Sequence, residues 1–245
     1  MAFTPLERIE EHLSLKLNIA LFCVATGGYS EYVPALWGSA LRNFLPSHNR
    51  KLILATDDFQ VGKHEADIIA IPTEHRPWPL ATLGRYALLT QEFAVLRSFD
   101  YVFMIDADMK FNSVVGAEVL GEIVAVQHPG YAGKPWDTFP LESNQHSTAY
   151  RTPHNYTTYY AGAFQGGTMR TYLDACGRIA RAIAADSARK ITARWHDESH
   201  WNAYLANFPP DIILGPEYCW PQPAVDAAFA PHAKIVALYK KRKPL

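Results

Sequence analysis

The run Tyr101-Val-Phe-Met-Ile105, followed at once by Asp106-Ala-Asp108, constrains this chain more than any other stretch. Five apolar residues without a polar break read as a strand buried on both faces, which requires covering elements on either side of a sheet. Side chains alternate along a strand, so carboxylates two apart project to the same side. Two carboxylates therefore emerge together at or just past the strand's carboxyl end. In open α/β sheets that edge is where ligands bind. Paired carboxylates there point to a hard divalent cation, which prefers oxygen ligands. The plainer alternative is a helix N-cap plus a turn aspartate after the strand.

The surrounding pattern supplies the rest of such a sheet. Leu17 to Thr26, Lys51 to Ala55, Asp67 to Ile71 and Tyr101 to Ile105 read as strands. Tyr32 to Phe44 and Leu83 to Phe99 read as helices between them, so a mostly parallel sheet with crossover helices is expected. Further on, Glu122 to Gln127 and Tyr159 to Phe164 read as strands, the latter ending at Gly166-Gly167. Pro129 to Tyr156 reads as a long loop, and Met169 to Ala185 and Glu198 to Phe208 as helices. No internal repeat or linker interrupts the 245 residues, so a single α/β domain is expected.

A formal net charge of −1 gives no reason to expect a nucleic-acid partner or an anionic membrane surface. Cys23, Cys176 and Cys219 show no metal-ligand spacing and read as buried free thiols in a reducing compartment. Met1 to Glu11 lacks the apolar core of a signal peptide, and no apolar run approaches the roughly 20 residues that span a bilayer. A soluble, cytoplasmic protein without a transmembrane anchor is the expectation.

Three further segments carry chemistry. Trp195-His-Asp-Glu-Ser-His-Trp-Asn202 packs two histidines, two acids and two tryptophans into eight residues. On a helix Asp197 and Trp201 share one face and Glu198 and Asn202 another, with Asp197 placed to cap the helix. One acid can hold a metal or a sugar hydroxyl, and the other can stabilise cationic charge at a sugar carbon. His196 and His200 have zinc-binding spacing, but Asp197 stands where a zinc protease would place glutamate. A capped amphipathic helix with polar surface residues is the plain alternative. Tyr159-Tyr-Ala-Gly-Ala-Phe-Gln-Gly-Gly167 is a small-residue segment that lets a ligand approach the backbone, or else a tightly packed sheet edge. The tail Lys240-Lys-Arg-Lys243 is a solvated charge run or a phosphate contact.

Taken in order, these motifs resemble glycosyltransferase family 6, which contains the histo-blood-group ABO transferases and the α-1,3-galactosyltransferases. The resemblance runs from about Leu17 to the tail. It rests on Asp106-Ala-Asp108-Met-Lys-Phe, the 159–167 segment, Trp195-His-Asp-Glu-Ser-His-Trp-Asn-Ala-Tyr-Leu and Gly215-Pro-Glu-Tyr-Cys-Trp220. It implies a GT-A fold with a Rossmann-like sheet, residues 17–110 serving the nucleotide and 111–245 the acceptor and tail. It implies a retaining transfer of Gal or GalNAc from a UDP-sugar to O3 of a β-galactoside, with or without fucose, forming an α linkage. The implied cofactor is Mn²⁺ or another divalent cation such as Mg²⁺, held by Asp106 and Asp108.

On the donor side the resemblance implies Val24, Ala25 and Thr26 against uridine, Tyr29 against the base, and Ala107 between the aspartates. Arg85 would support the donor sugar, Ala161, Gly162 and Ala163 would lie against its C2 substituent, and Asp197 would bind its hydroxyls. Lys241 and Arg242 would close on the diphosphate. Glu198 would be the nucleophile or the carboxylate stabilising an ion pair. His128, Trp195, His196 and Glu198 would face the acceptor. Ala163 matches the galactose-type choice, while Ala161 opens space and tips the expectation toward N-acetylgalactosamine. Gly27-Gly28 replaces a lysine pair, and Pro221 stands where ABO enzymes carry aspartate. Two other readings stay open: a nucleotide-sugar or glycan-binding protein without catalysis, and an Asp-x-Asp phosphatase of the haloacid-dehalogenase type. The latter is disfavoured by Lys110 at the position that normally holds Thr or Val, and by the roughly one hundred residues before the motif.

Overall fold

The computed structural model describes residues 16–61, 63, 65–152, 156–222 and 232–239. Strands β1 (Asn18–Val24), β2 (Asn49–Thr56), β3 (Ile68–Pro72) and β4 (Tyr101–Ile105) pair in parallel in the spatial order β3-β2-β1-β4. Alternate residues of β1 enter different cores. Ile19, Leu21 and Cys23 meet Leu36, Trp37 and Ala40 of helix α1 (Val33–Asn43). Ala20 and Phe22 join the opposite core, with Tyr86 and Leu89 of helix α2 (Leu80–Gln91). Burial on both faces explains why β1 and β4 read as unbroken apolar runs.

The expected helix from Leu83 to Phe99 is two pieces, α2 and the short α3 (Phe93–Leu96). The interval from Leu88 to Phe93 is five residues, where helical spacing requires three or four to stay on one face. Phe93 accordingly lies 55% exposed, and Glu92 leaves the helical conformation.

The sheet continues through β7 (Tyr160–Thr168), β6 (Val124–Gln127) and β8 (Ile212–Leu214). Strand β7 runs antiparallel to both β4 and β6, and β8 is parallel to β6. The glycine pair does not end β7, as its sequence suggests, but lies inside it. A Cβ at Gly166 would run into the Phe103 ring, and one at Gly167 into the Glu122 carbonyl. Helices α4 (Met169–Ala188) and α5 (His196–Leu205) cover this half. The sequence pattern misses a second small sheet of three very short strands. Strand β10 (Ile235–Ala237) pairs with β5 (Met109–Phe111) and β9 (Trp220–Pro221).

Strand order reverses between β1 and β4, with β2 and β3 on one side and β7, β6 and β8 on the other. This is the switch point at which doubly wound sheets leave a crevice outside their carboxyl ends. All three cysteines are buried free thiols. No helix among the described residues is long and apolar enough to cross a membrane.

Candidate active site

Two of the cavities at this edge take in the expected residues. The first, of about 190 Å³, is lined by Val24, Thr26, Tyr29, Arg85, Asp106, Ala107 and Asp108 together with His75, Arg76 and Trp78. The second, of about 350 Å³, is lined by His128, Ala161, Gly162, Ala163, Trp195, Asp197 and Glu198, with Cys219 and Pro221. They share Thr82, Arg85 and Asp106. Most of the residues expected to form a site are thus brought together, although they lie far apart in sequence. Ala25, just past the end of β1, is an exception: it is fully buried, and its N–H donates to the Ala55 carbonyl. His196 is not among the residues lining the second cavity, and its ring lies 4.5 Å from that of Trp78. Lys241 and Arg242 lie outside the described residues.

A β-bulge explains how the backbone serves this site. Between Ala125 and Val126 of β6 the partner on β7 jumps from Gln165 to Ala161. Gly162, Ala163 and Phe164 therefore lose their β6 partners, and bulges of this kind re-aim side chains beside active sites. Ala163 still accepts at its carbonyl from the Asp106 N–H, 2.9 Å away. Side chains take up the groups at Gly162. Its N–H donates to Glu198 Oε2 at 2.9 Å, and its carbonyl accepts from Arg85 Nη2 at 2.8 Å and Gln165 Nε2 at 3.0 Å. Two residues further out, the Asn202 amide pairs with both backbone groups of Tyr160, at 2.9 and 2.8 Å.

Arg85 is the centre of this arrangement. It is buried, with Nη1 2.8 Å from Asp106 Oδ1 and Nη2 2.5 Å from Asp197 Oδ2. Burial works against its charge, but Asp197 and Asp106 outweigh it and hold the guanidinium protonated. Asp197 is therefore no N-cap, contrary to the pattern reading. Helix α5 starts two residues earlier than expected, at His196, with Trp195 at the cap position and no side-chain cap bond. The buried cation draws the Asp197 carboxylate inward, and Ser199 Oγ accepts the Trp195 N–H instead, at 2.9 Å.

Glu198 is held by two neutral donors: Tyr159 Oη gives a 2.9 Å bond to Oε1, and Gly162 N–H reaches Oε2. Burial pushes its carboxyl up to about 7, despite the lowering effect of those two bonds and of Arg85. His128 shifts the other way, because burial disfavours its charged form. Its Nδ1 accepts the Gly130 N–H at 3.0 Å, which leaves the ring proton on Nε2 as a donor.

Asp106 and Asp108 both line the first cavity, Asp108 nearly buried and Asp106 partly open. Among the described residues no cluster of three or more His, Cys, Asp or Glu side chains could hold a metal. An all-oxygen pair of this kind fits a hard cation whose remaining positions are filled by phosphate oxygens and water. His75, Trp78, Thr82 and Tyr159, whose hydroxyl holds Glu198, went unassigned in the sequence. The Pro- and aromatic-rich run Thr73 to Pro79 carries no periodicity that would have placed its side chains.

Gly162 has a second reason to be glycine. A Cβ there would stand 3.0 Å from Arg85 Nη2 and 3.5 Å from the Glu198 Cβ. Gly162→Ala should leave the fold intact yet lower turnover by up to about 10²-fold, because Arg85 must give way by a few tenths of an ångström and small misplacements among reacting groups are costly. Steady-state kinetics beside a melting curve would check this, and wild-type turnover would refute it.

Residues 6–244 match the model of glycosyltransferase family 6. The chain is 32% identical to globoside α-1,3-N-acetylgalactosaminyltransferase 1 of Homo sapiens over 90% of its own length and 67% of the relative's. It is 27% identical to histo-blood group ABO system transferase 2 of Rattus norvegicus over 89% of this chain and 68% of the relative. To the O-antigen biosynthesis glycosyltransferase WbnI of Escherichia coli it is 26% identical, over 83% and 88% respectively. It thus spans about two thirds of the length of the two animal relatives. The sheet, its switch-point crevice and the match over almost the whole chain agree: the chain belongs to glycosyltransferase family 6 and is a glycosyltransferase of the GT-A type.

Proposed function

We propose that this protein is a divalent-metal-dependent, retaining hexosyltransferase that moves Gal or GalNAc from a UDP-sugar to O3 of a β-galactoside, forming an α linkage. The observation that carries the reading is the pair of cavities joined at Arg85 and Asp106. A nucleotide diphosphate in the first cavity places its sugar at the junction, and an acceptor in the second meets it there. Residues 17–110 then serve the nucleotide and 111–245 the acceptor.

Asp106 and Asp108 would hold the cation, which when bound neutralises charge on the departing diphosphate. Arg85 and Asp197 orient the sugar, the guanidinium lending positive charge and the carboxylate accepting hydroxyl protons. Glu198 supplies negative charge where the sugar carbon becomes cationic. His128 offers its Nε2 proton to the acceptor, beside Trp195, whose half-exposed ring fits a sugar face. Ala161 leaves room for a C2 substituent, which favours N-acetylgalactosamine, while Ala163 matches the galactose-type choice; one methyl group discriminates by only about 1–3 kcal/mol. Pro221 in the second cavity, where ABO enzymes carry aspartate, bears on the acceptor rather than on the reaction.

Incubation with labelled UDP-Gal or UDP-GalNAc and lactose should yield an α-linked trisaccharide. A protein that only binds nucleotide sugars would give none. Chelation by EDTA should abolish transfer, and Asp106→Asn with Asp108→Asn should lose it even with added Mn²⁺. Full activity in EDTA would sink the metal assignment.

A further inference from the structure

The first cavity has two chemically different ends. Asp106 and Asp108 form one, and the uncharged Val24, Thr26 and Tyr29 belong to the other, where the exposed His75 joins them. His75 reaches this end from the segment after β3, which is anchored by the Thr73 N–H donating to the Thr56 carbonyl at 3.0 Å. Its Nδ1 lies 3.1 Å from the hydroxyl of Thr26, which is nearly buried at the end of β1.

The turn beneath the ring is built to admit it. Gly27 has φ +58°, and a Cβ there would stand 3.0 Å from His75 Cε1 and 3.1 Å from Nδ1. The Gly27 N–H is fixed by both Asp57 carboxylate oxygens, at 2.9 and 3.1 Å. The imidazole therefore rests against a backbone surface that only glycine leaves open, with one nitrogen tied to threonine. A hydroxyl that donates to Nδ1 sets the proton on Nε2 and makes that nitrogen a donor.

We propose that His75 is a specificity-determining residue for the nucleotide's base, held by Thr26 so that its Nε2–H donates to a carbonyl oxygen of uracil. The inference rests on reading this cavity as the nucleotide site. A cation-bound diphosphate occupies the carboxylate end, so the ring of the nucleoside lies at the Thr26–His75 end. Thr26 is a positioning residue that acts through His75.

Calorimetric titration with Mn²⁺ present separates the two ends. His75→Ala should weaken UDP binding by about 3- to 10-fold, the worth of one net hydrogen bond, and leave inorganic pyrophosphate binding unchanged. His75→Gln should recover part of the loss. Thr26→Val should weaken UDP similarly and add little to His75→Ala, since both remove one interaction. In turnover, His75→Ala should raise KM for the donor with kcat nearly unchanged. Wild-type UDP affinity in His75→Ala, or an equal loss of pyrophosphate affinity, would overturn the assignment while leaving the nucleotide site standing. If the unaltered protein bound neither UDP nor pyrophosphate, the nucleotide reading would fall and this inference with it.

Discussion

Glu198→Gln is expected to fold normally and to lose turnover by on the order of 10³-fold, the scale seen when one preorganised electrostatic partner of a transition state is removed. Normal folding follows from the hydrogen bonds. The glutamine carbonyl can accept the Gly162 N–H, and its amide can donate to the Tyr159 hydroxyl, which accepts as readily as it donates. What disappears is the negative charge. The pH profile tests the same point. Burial holds the Glu198 carboxyl up at about 7 against an ordinary 4.5, so the carboxylate form that the proposed role requires accumulates only as pH rises through about 7. kcat/KM, which reports the free enzyme, should rise along that limb. Stability should run the other way. The folded protein keeps a proton that the unfolded chain releases, so the contribution of Glu198 is present below 4.5 and is lost as pH rises toward 7. Glu198→Gln removes both slopes. A variant with wild-type turnover, or a wild-type profile flat between pH 6 and 8, would take the catalytic role away from Glu198.

The sheet was legible where burial leaves no choice. Strands β1 and β4 touch cores on both faces, and only an apolar run survives there. Strands β5, β8, β9 and β10 were not, because two or three residues carry no periodicity and their pairing depends on distant partners. The acids at 197 and 198 were visible as chemistry but not as geometry. Asp197 obeys a local capping preference until a buried guanidinium 112 positions away in sequence outbids it. Gly162 read as room for a ligand. In the fold that room is taken by Arg85 Nη2 and Glu198, so the small residue serves the protein's own side chains first. The bulge that frees its backbone groups arises from the mismatch between β6 and β7, which no single segment encodes.

Arg85 should be the position least tolerant of change, and its two roles can be separated. Its planar fork serves Asp106, Asp197 and the Gly162 carbonyl at once. A lysine is a point charge that cannot span three acceptors in one plane. Arg85→Lys should therefore retain most of the stability and lose activity by about 10²-fold, because Asp106 and Asp197, proposed above to serve the cation and the sugar, are no longer held in register. Arg85→Met removes the charge altogether and leaves Asp197 buried without its cation, a change that costs about 3–5 kcal/mol. If that cost is an uncompensated charge rather than lost packing, adding Asp197→Asn should return much of it, while adding Ser30→Ala, remote from the pair, should return nothing. Urea unfolding with unchanged m-values measures the stability arm, and transfer assays measure the other. The double variant Arg85→Met with Asp197→Asn is expected to be stable and inactive. Recovery of turnover in it would mean that the ion pair serves only to hold the fold. Failure to recover stability would mean that the hydrogen bonds of Arg85 to Gly162 and Asp106, not the neutralisation of Asp197, hold this junction together.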